Sequence, residues 1–242
     1  MSVSPPLTPV APARRLALPS FAPRVTYVLI AVNALVFVVD LLSNNLLTMY
    51  GALVPVLVSS HGQWWRIITV GFLHADILHI TMNLYALYGV GRLMERFFGP
   101  WRLLAAYALS LSGSSILVTL LAPPERVTVG ASGAIMGVLG ALLVYFWKYR
   151  QLLVGAQGFL GRLGRMAVIN IGVGLLPGIS WWGHLGGFLA GAGAGAVLLP
   201  KYEHPDWAAD HLEIRELDGR SRSGLAAIIA AEALLLAFWR LR

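Results

Sequence analysis

A chain of 242 residues that is 57% hydrophobic and 12% charged, with a mean hydropathy of +0.72, carries about half the charge of an ordinary soluble domain. That composition excludes a soluble globular enzyme and points to an all-α, polytopic membrane helical bundle. The absence of cysteine excludes disulfides and thiolate chemistry, and the net charge of +7 does not indicate nucleic acid, because the basic residues are spread between apolar runs rather than gathered in one patch.

Residues 1–24, rich in proline and alanine and carrying Arg14, Arg15 and Arg24, lack a compact apolar core followed by a small-residue cleavage site, and read as a flexible cytoplasmic tail. Seven apolar runs follow, at approximately 25–43, 70–91, 101–122, 132–149, 165–180, 182–200 and 224–240. The first six form a membrane domain over 25–200. The fifth is short and glycine-rich, and Leu176-Pro177-Gly178 reads as a tight turn into the sixth. The connection 44–66 holds Trp64 and Trp65 among leucines and is expected to lie partly in the bilayer surface. Residues 201–223 read as a charged cytoplasmic linker, and 224–242 as a C-terminal transmembrane helix. With the amino terminus inside, Arg66, Arg126, Arg240 and Arg242 fall outside and the other 14 of the 18 lysines and arginines fall inside, which favours a plasma membrane and a cytoplasmic amino terminus.

Polar side chains at membrane depth mark function or a helix contact. His79 and Asn83 lie four apart on one face of the second span, Ser132 opens the fourth, and His184 opens the sixth. All three spans run in the same direction, so the four residues converge on the outer leaflet. Gly133 and Gly137, and Gly187, Gly191 and Gly195, recur at intervals of four and allow the fourth and sixth helices to approach closely. Such packing would leave Ser132 beside His184. A serine hydroxyl becomes a nucleophile when a base takes its proton, and an attacked carbonyl needs donors aimed at its oxyanion. The Asn83 amide, one His79 nitrogen and the Ser132 backbone N–H are available for that. No acidic residue is placed to orient His184, so a Ser–His pair is expected rather than a triad. Ala134 breaks the nucleophile-elbow pattern of soluble hydrolases.

These residues resemble the rhomboid intramembrane serine proteases over about residues 25–200, with the seventh span appended as in many members. The resemblance rests on Trp65-Arg66 in the first outer loop, His79-x-x-x-Asn83 with His74 before it, Gly130-Ala131-Ser132-Gly133, and His184-x-x-Gly187-x-x-x-Gly191. It implies a rhomboid-like six-helix core, Ser132 as nucleophile and His184 as general base. It also implies an oxyanion site from His79, Asn83 and the Ser132 amide, and single-span membrane proteins as substrates, cut in or near the outer part of the helix. One position departs from the family pattern: Met136 stands where an aromatic ring often supports the base, so slower turnover is expected.

Three other readings compete. A transporter would use the same polar groups as a pathway, but needs polar residues toward the inner face. An inactive rhomboid-like binder of membrane helices would not need the serine, base and donors together. A metal site from His74, His79 and His184 lacks an acidic partner, so neither a metal nor a cofactor is expected. His74 and His61 read as structural, and Trp65 and Arg66 as anchors of the outer loop rather than catalytic groups. The partners expected are the bilayer and transmembrane substrates.

Overall fold

The computed structural model describes residues 18–153, 155–176, 178–203, 213–215 and 217–240. Most of the expected tail, Pro177 and the middle of the 201–223 segment fall outside these residues. The end of the tail is docked: the Phe21 N–H donates to Arg96 O at 3.3 Å, and its ring packs where Gly99 leaves room.

Seven long helices carry the architecture. They are α1 (Arg24–Leu42), α5 (Ile77–Phe98), α6 (Pro100–Leu121), α7 (Ser132–Lys148), α8 (Ala156–Val173), α9 (Trp181–Val197) and α10 (Gly219–Arg240). Between α1 and α5 lie three short helices, α2 (Leu46–Gly51), α3 (Pro55–Ser59) and α4 (Arg66–Thr69), and a 3-10 turn at Val70–Phe72. A two-residue antiparallel pair, β1 (Tyr202–Glu203) with β2 (Glu213–Ile214), precedes α10. Among the described residues, α1 and α6 are able to cross a membrane by length and apolarity alone, and α5 reaches that measure only together with the stretch Arg66–Phe72, from which it is bent by 92°. The others fall short for visible reasons: α7 and α9 have 17 residues each, and α8 carries Arg162 and Arg165.

Three expected boundaries move. The second span begins at Ile77, not 70, because Asp76 caps it: its carboxylate accepts the His79 N–H at 2.8 Å and the backbone turns there. The fifth helix is Ala156–Val173 rather than 165–180, entered through Gly155 at φ +77. Its two arginines sit inside the helix instead of bounding it. The seventh starts at Gly219, so the linker read as 201–223 ends earlier. Asp218 accepts the Ser221 N–H at 2.9 Å and the Lys201 ammonium at 2.6 Å, and these contacts, Lys201 first, hold its carboxyl well below the usual carboxylate range.

Helix α7 is the centre of the bundle. It is apolar on all sides and buried along most of its length between α6 and α9. A Cβ on Gly187 or Gly191 would come closer than 3.0 Å to the backbone of Gly133 or Gly137, so α7 and α9 touch backbone to backbone. On the other side, Ser110 and Ser114 of α6 fill the space left by Gly137 and Gly133. Helix α1 is held by a charge the sequence reading did not anticipate. Glu95, with no exposed surface, accepts the Val25 and Thr26 N–H groups at 2.8 Å each and the Thr26 hydroxyl at 2.7 Å. It thereby satisfies the orphan donors at the start of α1 and complements the positive end of its dipole.

Candidate active site

The helix starts of α5, α7 and α9 meet at one end of the bundle. His79 and Asn83 lie in the first two turns of α5, Ser132 is the first residue of α7, and His184 lies in the first turn of α9. Three positive helix ends therefore point at one place, a setting suited to developing negative charge.

The α7–α9 contact sets the spacing of the two reactive groups. Ser132 Oγ is 3.0 Å from His184 Nε2. His184 Nδ1 is 2.8 Å from the backbone oxygen of Asn170, near the end of α8. A carbonyl only accepts, so the proton sits on Nδ1, and the lone pair of Nε2 faces the serine hydroxyl. The described partner of the imidazole Nδ1 is thus a main-chain oxygen rather than a carboxylate. Asn170 O is among the last carbonyls of α8, and it also receives the Gly174 N–H at 3.2 Å. Sequence reading missed this partner, because a fifth span drawn over 165–180 puts residue 170 in mid-helix with its carbonyl spoken for. His184 is 6% exposed, so the pair is largely screened from water.

The expected oxyanion donors gather against the residue two before the serine. Gly130 has φ +126, and a Cβ there would lie 2.7 Å from His79 Nε2 and 3.8 Å from Asn83 Nδ2. Only glycine fits both the conformation and the ring beside it. The Gly130 N–H donates to Val70 O at 3.0 Å, which ties the segment before Ser132 to the 3-10 turn. Asn83 Nδ2 donates to His79 O at 3.1 Å and has a second N–H to offer. The Ser132 N–H belongs to the first turn of α7 and has no intrahelical acceptor. His74 is buried with its ring edge-on to His79, centroids 5.1 Å apart, and neither of its nitrogens has a hydrogen-bond partner among the described residues. His61 lies at the exposed rim of the loop. Met136 is buried in α7.

Arg66 is placed differently from an interfacial anchor. It is 4% exposed and turns inward, donating to Gln63 Oε1 at 2.6 Å, Ala52 O at 2.5 Å and Met49 O at 3.3 Å. Trp65 Nε1 donates to Tyr50 O at 2.9 Å while its ring stays exposed. Two backbone bonds between Leu53 and Thr128, at 3.0 and 2.9 Å, fasten the same loop to the α6–α7 connection. The outer loop is a cross-linked cap whose carbonyls need the guanidinium's fork of donors.

Comparison with known proteins finds one family throughout. The family model described as Rhomboid domain matches residues 61–201. RHOMBOID-like protein 5 of Arabidopsis thaliana is 37% identical over 62% of this chain and 52% of its own length. Rhomboid protease GluP of Bacillus subtilis is 35% identical over 74% of this chain and 36% of its own. RHOMBOID-like protein 6, mitochondrial, of Arabidopsis thaliana is 36% identical over 65% of this chain and 51% of its own. The chain thus spans about half of the length of two of these relatives and about a third of the other.

Proposed function

The chain belongs to the rhomboid family, and on that premise we propose that it is an intramembrane serine endopeptidase acting on single-span membrane proteins within or near the outer part of their transmembrane segment. One observation carries the proposal: the 3.0 Å approach of Ser132 Oγ to a His184 nitrogen whose lone pair is turned toward it. His184 takes the serine proton as Oγ attacks the scissile carbonyl, and Asn170 O stabilises the imidazolium through Nδ1–H. The Ser132 N–H, the Asn83 amide and His79 are the donors for the oxyanion. His184 then protonates the leaving amine, and water releases the acyl group by the same route in reverse. Backbone amides in a helix are hydrogen-bonded, so the cut requires a substrate helix that opens locally, at small or helix-breaking residues.

The chain is a multi-pass membrane protein. The 14-to-4 distribution of basic residues supports a plasma-membrane location with a cytoplasmic amino terminus, which puts the reactive end outside. The name of one relative places that relative in mitochondria, and fractionation of cells expressing a tagged copy separates the two locations.

The decisive experiment is covalent labelling. A fluorophosphonate is expected to label the native protein and not Ser132→Ala, which also loses all cleavage of a reporter membrane segment. Cleavage surviving in Ser132→Ala removes the nucleophile assignment. Asn83→Ala is expected to lower kcat about tenfold or more with little change in KM; unchanged turnover makes Asn83 a structural residue.

A further inference from the structure

The end of the bundle opposite Ser132 holds a second site of different chemistry. A cavity of about 400 Å³ opens where α5 passes into α6, lined by Arg102, Arg215, Arg222, Trp101, Phe21 and Leu217. Arg102 comes from the first turn of α6, Arg222 from the first turn of α10, and Arg215 from the segment between β2 and α10. Neither helix has an acidic residue in its first turn.

Arg102 is the unusual member. It is 5% exposed, and its described acceptors are two neutral backbone oxygens, Phe98 O at 3.4 Å and Arg215 O at 3.0 Å. Its Nε is buried and has no partner among the described residues. A guanidinium withdrawn from water needs an anion or full hydrogen bonding, and this one has neither among the described residues. Among the described acids, Glu203 meets Arg215 only at 3.8 Å, with both side chains more than half exposed, and Asp218, next to Leu217, is taken up by Lys201 and the Ser221 N–H. Three cations and the unneutralised start of α6 thus surround a space large enough for a phosphate group.

We propose that this cavity binds the phosphate of an anionic phospholipid headgroup in the leaflet facing away from Ser132. Free phosphate shares that chemistry, but the surroundings favour a lipid. Trp101 and Phe21 are 46% and 37% exposed beside the cavity, as aromatic side chains are at a membrane interface, and Arg102 stacks on the Trp101 ring at 5.0 Å. The acyl chains would run along the apolar surface that α6 presents beyond Trp101, where Leu104 is 49% exposed. The site also gives Arg102, Arg215 and Arg222 a role beyond setting orientation. It is independent of the proteolytic reading, because no residue of the Ser132 site contributes to it.

The test is thermal unfolding of the full-length protein in dodecyl maltoside, titrated separately with dioleoyl phosphatidylglycerol, dioleoyl phosphatidylcholine and inorganic phosphate. Phosphatidylglycerol is expected to raise Tm saturably while the other two do not. Arg222→Gln and Arg215→Gln should each raise the half-saturating lipid concentration about fivefold, whereas Arg220→Gln, a neighbour that does not line the cavity, should leave it unchanged. Arg102→Gln tests the buried cation where it folds; the two exposed variants carry the result if it does not. An equal response to phosphatidylcholine, an equal response to inorganic phosphate, a full response in both Arg222→Gln and Arg215→Gln, or an equal loss in Arg220→Gln overturns the proposal.

Discussion

The seam between α7 and α9 and the neighbouring helix α8 are built on opposite plans, yet both act on His184. Along the seam, glycine faces glycine and the backbones are in contact, with Ser132 and His184 at its upper end. Helix α8 buries only Ala156, Leu163 and Ala167, and exposes Val168 and Ile169 at 72% and 61%. The seam fixes how far the imidazole is from the hydroxyl. The looser helix fixes which nitrogen carries the proton, through Asn170 O. Distance is therefore guarded by close packing, and tautomer by an element with few packing constraints.

That contrast is open to direct attack. The largest effect is expected at the seam: Gly191→Leu puts a side chain where the Gly137 backbone lies, costs at least about 3 kcal/mol by overpacking, and, in any protein that still folds, lowers kcat about a hundredfold. Thermal unfolding and reporter cleavage read the two parts separately, and a folded, fully active Gly191→Leu refutes the seam's role. A smaller effect is expected where α8 hands over to α9. A Cβ on Gly174 would lie 2.9 Å from Trp181 Cα, 3.0 Å from Ile171 O and 3.4 Å from His184 Nδ1. Gly174→Ala should lower kcat about threefold to tenfold with KM unchanged, since it disturbs the orienting carbonyl and not the substrate; a change in KM alone counts against this. The smallest is on the exposed face of α8, where Val168→Ala should stay within about 0.5 kcal/mol and leave turnover intact. A large loss there would mean that α8 is held as tightly as the seam.

The same contrast explains what could be read from the residues alone. The register Gly133, Gly137 against Gly187, Gly191 repeats every four positions and is visible in any one sequence, so the approach of Ser132 to His184 could be foreseen. His79 and Asn83 were legible for the same reason, as neighbours on one helical face. Asn170 O was not, because every residue has a carbonyl, and which one meets the imidazole depends on where α8 ends and how it packs on α9. The start of α8 was obscured by Arg162 and Arg165, which look like a membrane boundary but lie within the helix. Arg66 could be read as an anchor of its loop, but the carbonyls of Met49 and Ala52 that draw the guanidinium inward could not. Glu95 could not be singled out, because its three bonds to α1 depend on a tertiary contact about 70 residues away in sequence.

The backbone contact at Gly137 and Gly191 has an evolutionary consequence. In an ordinary core an oversized residue is accommodated by shrinking its neighbour, and the two changes can be found together. Here the neighbour is already the smallest residue there is, so a lesion at either position leaves no compensating exchange across the seam. Revertants of such a lesion should restore glycine itself, or move a whole helix through changes in its connecting loops.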